Sequence, residues 1–272
     1  MSYHNPVLLQ SSLHYLEVIP GKKYIDATLG GGGHAKAIIE AGGEVLGLDQ
    51  DPDAIVACPD LDHLVKVQTN FIHLAEVARA RGFVPVSGIL FDLGVSSRQI
   101  DVASRGFSFS KEAPLDMRMG DTNITAADIV NHWPAAQLTK IFLEFGEIPA
   151  SGALSRKIVG ARPVKTTTQL AGLTGAWTRQ AFQALRIAVN DELGALETGL
   201  DQSIELLEPG GSIVVISFHS LEDRLVKNKF VAWQTAGRGQ IKTPKPITAS
   251  LAEQEDNSRS HSAKLRAFKR HA

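Results

Sequence analysis

Lys23-Tyr24-Ile25-Asp26-Ala27-Thr28-Leu29-Gly30-Gly31-Gly32-Gly33-His34-Ala35 decides the fold: a short apolar run ends in an acid, four glycines follow, and a helix-forming stretch comes next. Glycine admits positive φ and lets a backbone approach a ligand with no Cβ in the way, so four together after a strand predict a nucleotide-cradling turn. Glu44-Val45-Leu46-Gly47-Leu48-Asp49 is a second buried-strand pattern. Its terminal acid follows the first glycine at about 20 residues, the spacing at which a carboxylate reaches ribose hydroxyls. A bound adenosine is the expectation. Gly30-x-Gly32-x-x-Ala35 matches the dinucleotide fingerprint, and Asp26 before the glycines with Asp49 after them matches an S-adenosylmethionine pocket equally well. Asp49 also has a plain structural reading, because Asp49-Gln50-Asp51-Pro52 resembles a helix start with Pro52 at the first helical position.

The chain has 272 residues, enough to bury a full α/β core as one large domain or as a domain carrying an inserted one. Its 43% hydrophobic and 21% charged residues are those of an ordinary globular protein, and no apolar run is long enough to span a bilayer. The N-terminal residues lack the basic and apolar regions of a secretory signal, so a cytoplasmic location is expected. The single cysteine, Cys58, permits no internal disulfide and no thiolate metal cluster. The net charge of −1 conceals a segregation. From His219 to the end, 11 Lys and Arg stand against 5 Asp and Glu, leaving 17 against 24 before it. That basic region, with Lys264, Arg266, Lys269 and Arg270, is a candidate phosphate-contacting surface.

Apolar runs bounded by turn residues recur at 23–27, 44–49, 64–68, 87–92 and 212–218, with helical periodicity between them. This is the βα alternation of a parallel sheet with helices on both faces. Between Arg105 and Leu193 the pattern becomes helical throughout, which predicts an inserted helical subdomain between the fourth and fifth strands. Its last segment, 180–207, reads as one long helix that returns the chain to the sheet. Glu208-Pro209-Gly210-Gly211 then predicts a turn, and alternation at 263–268 predicts a final strand.

Ligands of open parallel sheets sit outside the carboxyl ends of the strands, so strand ends are where chemistry is sought. Strand four ends in Asp92 and then a small polar loop, Leu93-Gly94-Val95-Ser96-Ser97-Arg98-Gln99. Strand five ends in Ser217-Phe218-His219-Ser220-Leu221-Glu222-Asp223-Arg224, a dense group of ionisable residues at a helix start. Each has a structural alternative: Asp92 as a turn cap, Ser220 with Asp223 as a helix-capping pair, His34 as an anchor of the glycine turn. No spacing of His, Asp or Glu suggests a metal site, and no Gly-x-Ser-x-Gly elbow follows a strand.

These motifs, with Arg105-Gly-Phe-Ser-Phe109, Pro114-Leu-Asp-Met-Arg-Met119, Phe182-Gln-Ala-Leu-Arg-Ile187 and Val189-Asn190, resemble those of the RsmH (MraW) family. The resemblance runs from His4 to Arg266. Members are S-adenosylmethionine-dependent methyltransferases acting on N(4) of a cytidine in the decoding region of 16S ribosomal RNA. The resemblance implies a Rossmann-like class I methyltransferase sheet over 1–104 and 194–272, with an all-helical substrate-recognition insertion over 105–193. It implies that Gly32, Gly33 and His34 line the methionine and ribose part of the cofactor site and that Asp49 holds the ribose diol. Phe71 would flank the adenine, Asp92 would sit beside the adenine or the reacting methyl, and Gln99 would close the pocket. The expected partner is 16S ribosomal RNA within the small ribosomal subunit, with no membrane and with a homodimer left open. Two departures stand out: Ile148-Pro149 follows Phe145-Gly146-Glu147 where members carry an acid and a base, and Asn257-Ser258 replaces Asn-Pro.

The chemistry explains the acids. A cytosine amine is a poor nucleophile because its lone pair is delocalised into the ring, so the enzyme must accept hydrogen bonds from it while aligning it with the methyl group. Asp92 is the first candidate acceptor; Asp116, His219 and Glu222 are candidates for substrate alignment or proton removal. The target base must also leave its stack, and Phe107, Phe109 or Phe218 are candidates to receive it. An NAD-dependent oxidoreductase and a non-catalytic ribosome assembly factor are the alternatives.

Overall fold

The computed structural model describes residues 6–272, so His4 and Asn5, where the family resemblance begins, lie outside the described residues. Two compact units make up the chain, one of residues 1–94 with 193–272 and the other of residues 95–192.

The first unit is built on a seven-stranded sheet. Strands β1 (Lys23–Asp26), β2 (Glu44–Asp49), β3 (Leu64–Gln68), β4 (Val86–Asp92), β5 (Leu207–Ser217), β6 (Gly239–Ile241) and β7 (Lys264–Arg270) lie in the order β3-β2-β1-β4-β5-β7-β6. The first five are parallel, and β7 runs antiparallel to both β5 and β6. This is a doubly wound, mostly parallel sheet with β7 inserted antiparallel beside β5. Period-two alternation gives it two buried faces. Ile25, Leu46, Ile89, Phe91, Ile213 and Val215 face one core, closed by Leu196, Leu200 and Ile204 of the Glu192–Leu206 helix and Val226 and Phe230 of the Ser220–Thr235 helix. Tyr24, Val45, Leu90, Val214 and Ile216 face the other, closed by Ala35 and Ile38 of the Gly33–Glu40 helix. Burying a side chain of this size stabilises by about 1.5–3 kcal/mol, so each face contributes far more than any single polar contact.

Two expectations need correction and a third is qualified. The 180–207 segment is two helices, Thr178–Asn190 and Glu192–Leu206, separated by Asp191 at φ 47°. Asp tolerates the left-handed conformation, and apolar spacing does not register it. Glu208-Pro209-Gly210-Gly211 does not end the helix with a free turn; it lies inside β5 as a bulge, where the register passes from Val86 opposite Leu207 to Gly88 opposite Ser212. The C-terminal basic residues are engaged within the fold. Arg266, 7% exposed, forks onto Asp223 at 2.6 and 3.2 Å, Lys264 lies 3.7 Å from Asp223, Lys269 pairs with Glu17, and Arg270 donates to the Leu207 carbonyl. They sit on an interior strand with partners already in the fold, which lowers the charge that this region offers to a phosphate.

The second unit is helical. Ala126–His132, Ala135–Glu144, Ser151–Gly160, Thr167–Thr174 and Thr178–Asn190 enclose Leu115, Ile129, Phe142, Ile158, Leu170 and Leu185. Ile148, at the first departure from the family pattern, is fully buried in this core. Among the described residues, no helix is long and apolar enough to cross a membrane.

Candidate active site

The carboxyl ends of β1, β2 and β4 converge around the glycine turn. Gly32 adopts φ 78°, and a Cβ there would meet Cys58 Sγ at 2.5 Å, so glycine is required on both conformational and steric grounds. The Gly30 N–H donates to Asp49 Oδ2 at 2.8 Å and the Asp51 N–H to Asp49 Oδ1 at 2.9 Å. Asp49 is thereby fixed against the turn, each oxygen retaining acceptor capacity. Asp51, not Asp49, caps the following helix, accepting from the Asp53 N–H with Pro52 in the first turn. Burial, opposed by these N–H donors, pushes Asp49 up to about 6.

At the end of β4, Asp92 pairs in register with Ile216, and its N–H donates to Thr28 Oγ1 at 2.6 Å. That backbone bond aims the side chain into the space beside the glycine turn. Asp92 Oδ1 is buried with no donor among the described residues, and so is Asp26 Oδ2 on β1. Leaving a carboxylate oxygen buried and unpaired is costly, and in native structures such groups mark sites of ligand or proton chemistry. Burial pushes Asp92 up to about 7, with the Arg259 guanidinium pulling it down and Glu222 pushing it further up. Asp26 rises to about 6, mainly by burial, with His34 opposing.

His34 is the second residue of the Gly33–Glu40 helix, with Nε2 3.1 Å from the Val7 carbonyl and Nδ1 3.7 Å from Asp92 Oδ2. Phe71 stands edge-on to Phe91 at 5.6 Å, in the turn after β3. This set suits a cationic adenosine-bearing cofactor: a tight glycine turn, an acid at ribose spacing, an aromatic ring, and buried carboxylate oxygens complementary to positive charge.

His219 and Glu222 are brought close to each other, with Glu222 and the His219 Nδ1 engaged by the backbone of the turn and His219 Nε2 buried without a hydrogen-bond partner among the described residues. Glu222, 3% exposed, accepts from the Phe218 and His219 N–H groups at 2.8 and 3.3 Å, while His219 Nδ1 accepts from the Glu222 N–H. The capping pair is therefore His219 with Glu222, one residue earlier than the expected Ser220 with Asp223. His219 Nε2 lies 3.1 Å from Glu222 Oε1, but off the line of a hydrogen bond, and we read it as proximity rather than a bond.

Gln99 and Asp116 belong to the second unit. Gln99 forms a capping box with Ser96, each side chain accepting from the other's N–H. Asp116 is gripped by Arg118, whose Nε and Nη2 donate at 2.9 and 2.8 Å, and this fork holds its carboxyl below the usual range. A carboxylate so held is a poor proton acceptor. Asp26 and Arg259 were not singled out as site residues in the sequence. Asp26 had a signal, as the acid before the glycines. Arg259 is placed by the Ser258–Ser262 turn over the Phe218 ring, 5.9 Å from its centroid, which no local spacing foretells.

The description of the MraW methylase family matches residues 1–271. A ribosomal RNA small subunit methyltransferase H from Thermomicrobium roseum is 46% identical over 98% of this chain and 93% of its own length. One from Symbiobacterium thermophilum is 43% identical over 97% and 96%. A solved ribosomal RNA methylase from Streptococcus thermophilus aligns with a TM-score of 0.49 at 10% identity, covering 100% of this chain and 99% of that one. A glycine-turn pocket lined by acids and a match along the whole sequence lead to one conclusion: the chain belongs to the MraW methylase family.

Proposed function

We propose that the protein transfers a methyl group to the exocyclic N(4) amine of a cytidine in the decoding region of 16S ribosomal RNA, within the small ribosomal subunit. The methyl donor is S-adenosylmethionine, whose sulfonium supplies an electrophilic methyl group. The observation that carries the reading is the buried Asp92 Oδ1, an acceptor at the end of β4 with no donor among the described residues. Asp92 accepts a hydrogen of the amine, which concentrates the nitrogen lone pair toward the methyl carbon and orients it. Asp49 accepts the ribose hydroxyls, Phe71 flanks the adenine, and Gly32, Gly33 and His34 line the methionine side. His219 and Glu222 shape the turn after β5 and do not take the proton. Asp116 shapes the loop between Arg105 and Met119.

The helical unit takes the role of RNA recognition. There Lys157 donates to the Leu173 carbonyl and Arg162 to the Val130 and Trp133 carbonyls, so Arg156 and Lys165, both exposed, are the better phosphate contacts of that basic group. The reaction belongs in the cytoplasm, where ribosomal subunits are assembled. The test is methyl transfer from labelled S-adenosylmethionine to 30S particles from cells lacking the modification, with the product nucleoside identified by mass spectrometry. N(4)-methylated cytidine is expected; a methyl group on another nucleoside, or none, overturns the assignment.

A further inference from the structure

We propose that His34 is a positioning residue for the reaction, sharing a single proton with Asp92 and taking up the proton that Asp92 removes from the amine. The proposal rests on the amine-methylation reading above. Its starting point is a tautomer. His34 Nε2 faces the Val7 carbonyl at 3.1 Å, and a carbonyl oxygen only accepts, so Nε2 carries hydrogen. In the neutral ring Nδ1 is then bare, and it faces Asp92 Oδ2 at 3.7 Å. The ring is 5% exposed. Two lone pairs opposed in such a place repel, and one proton on either group turns the contact into an attraction. Closing to hydrogen-bond length requires less than 1 Å, a tightening common when a catalytic site fills.

Charged groups from three elements set where that proton rests. Asp26 on β1 favours a charged His34, and burial opposes it, holding the ring below the usual histidine range. Glu222 from the Ser220–Thr235 helix favours a protonated Asp92, whereas Arg259 from the Ser258–Ser262 turn favours the carboxylate.

The step balances. The amine nitrogen forms its bond to the methyl carbon as the carbon–sulfur bond breaks, the bonding pair leaving with sulfur and the nitrogen gaining positive charge. The N–H electrons return to nitrogen as the proton passes to Asp92 Oδ1. Rotation about Cβ–Cγ, a soft torsion, presents it to His34 Nδ1. The positive charge lost from the sulfonium reappears as one proton on the Asp92–His34 pair.

Two experiments test this. Nitrogen-15 NMR of the protein alone, with the His34 signals identified by their loss in His34→Gln, should show the Nε2–H tautomer at pH 8. It should also show a titration that Asp92→Asn displaces. An Nδ1–H tautomer, or a titration indifferent to Asp92→Asn, overturns the proposal. His34→Gln keeps an N–H donor for the Val7 carbonyl but has no titrating nitrogen. We expect kcat to fall at least tenfold at pH 8–9 with a smaller change in the donor KM, and the deficit to grow as pH rises from 6 to 9, since a pair that already holds a proton can take up none. A wild-type rate across that range overturns it. If His34→Gln does not fold, the tautomer and the Asp92→Asn titration, with signals assigned by ring-labelled histidine spectra, still decide. If wild-type protein methylates no cytidine, the amine-methylation reading fails, and the NMR separately decides whether the shared proton exists.

Discussion

Asp92 and Asp116 are the same residue type in two regions of the molecule, and the protein treats them in opposite ways. Asp92, at the carboxyl end of β4, has its backbone tied by Thr28 while Oδ1 is buried with no donor among the described residues, and burial pushes its pKa to about 7. Asp116, in the helical unit, has both oxygens in the fork of Arg118 and its pKa pulled down. A carboxylate whose acceptors are filled by protein donors holds a loop in shape. One kept buried and unfilled holds free energy in reserve for a ligand or a proton. Glu222 belongs with Asp116 in this respect, since two backbone N–H groups donate to it.

The comparison breaks first on turnover. Asp92→Asn should lower kcat for methyl transfer at least 100-fold, about 2.7 kcal/mol of transition-state stabilisation, while Asp116→Asn should leave it within about threefold. Equal losses in two folded variants, measured by tritium incorporation, would erase the distinction. Next comes binding. Asp49→Ala should weaken S-adenosylmethionine at least tenfold by calorimetry, because charge-assisted bonds to hydroxyls contribute roughly 1.5–3 kcal/mol. Unchanged affinity in a folded variant would remove Asp49 from the ribose.

Stability against pH sharpens the contrast with a smaller effect. The folded pKa of Asp92 lies above its unfolded value, so its contribution is fully present below about pH 3.8 and is lost as pH rises through about 7. Asp92→Asn should therefore melt higher than wild type at pH 8, with the excess growing between about pH 4 and 7. The side chain retains 23% exposure, so the gain should be on the order of 1–3 kcal/mol. Asp116 has the opposite sign: its contribution is present above the unfolded value and is lost as pH falls through the depressed folded one. Arg118→Met should cost only about 0.5–1 kcal/mol at pH 7, the range of a solvent-screened pair, and less at pH 3. Thermal melts of both variants across pH 3–8 should give slopes of opposite sign; parallel slopes would contradict the electrostatic assignment.

Much of this was legible in the sequence, for definite reasons. Buried strands declare themselves as short apolar runs, which is why 44–49 and 64–68 coincide with β2 and β3. Asp92 is visible as the acid closing such a run. Asp191 was not, because one left-handed residue leaves helical spacing intact on both sides. The pairing of the C-terminal charges was not legible because their partners are remote: Arg266 meets Asp223 across 43 residues and Lys269 meets Glu17 across 252. His219 was displaced from the cap by the rule that serine usually fills it, although the three-residue spacing to Glu222 was there to be seen.

The contact between Gly32 and Cys58 has a practical consequence. The only thiol of the chain is buried directly under the cofactor turn, 2% exposed, so a thiol-directed reagent cannot reach it while the turn is seated. When opening and closing are fast relative to the reagent, the labelling rate is the intrinsic rate multiplied by the open fraction, and its logarithm measures the free energy of unseating the turn. A ligand that presses on the turn must slow that clock by the same factor with which it favours the seated state. The sulfur thus serves as a native gauge of the turn's opening, with no label introduced.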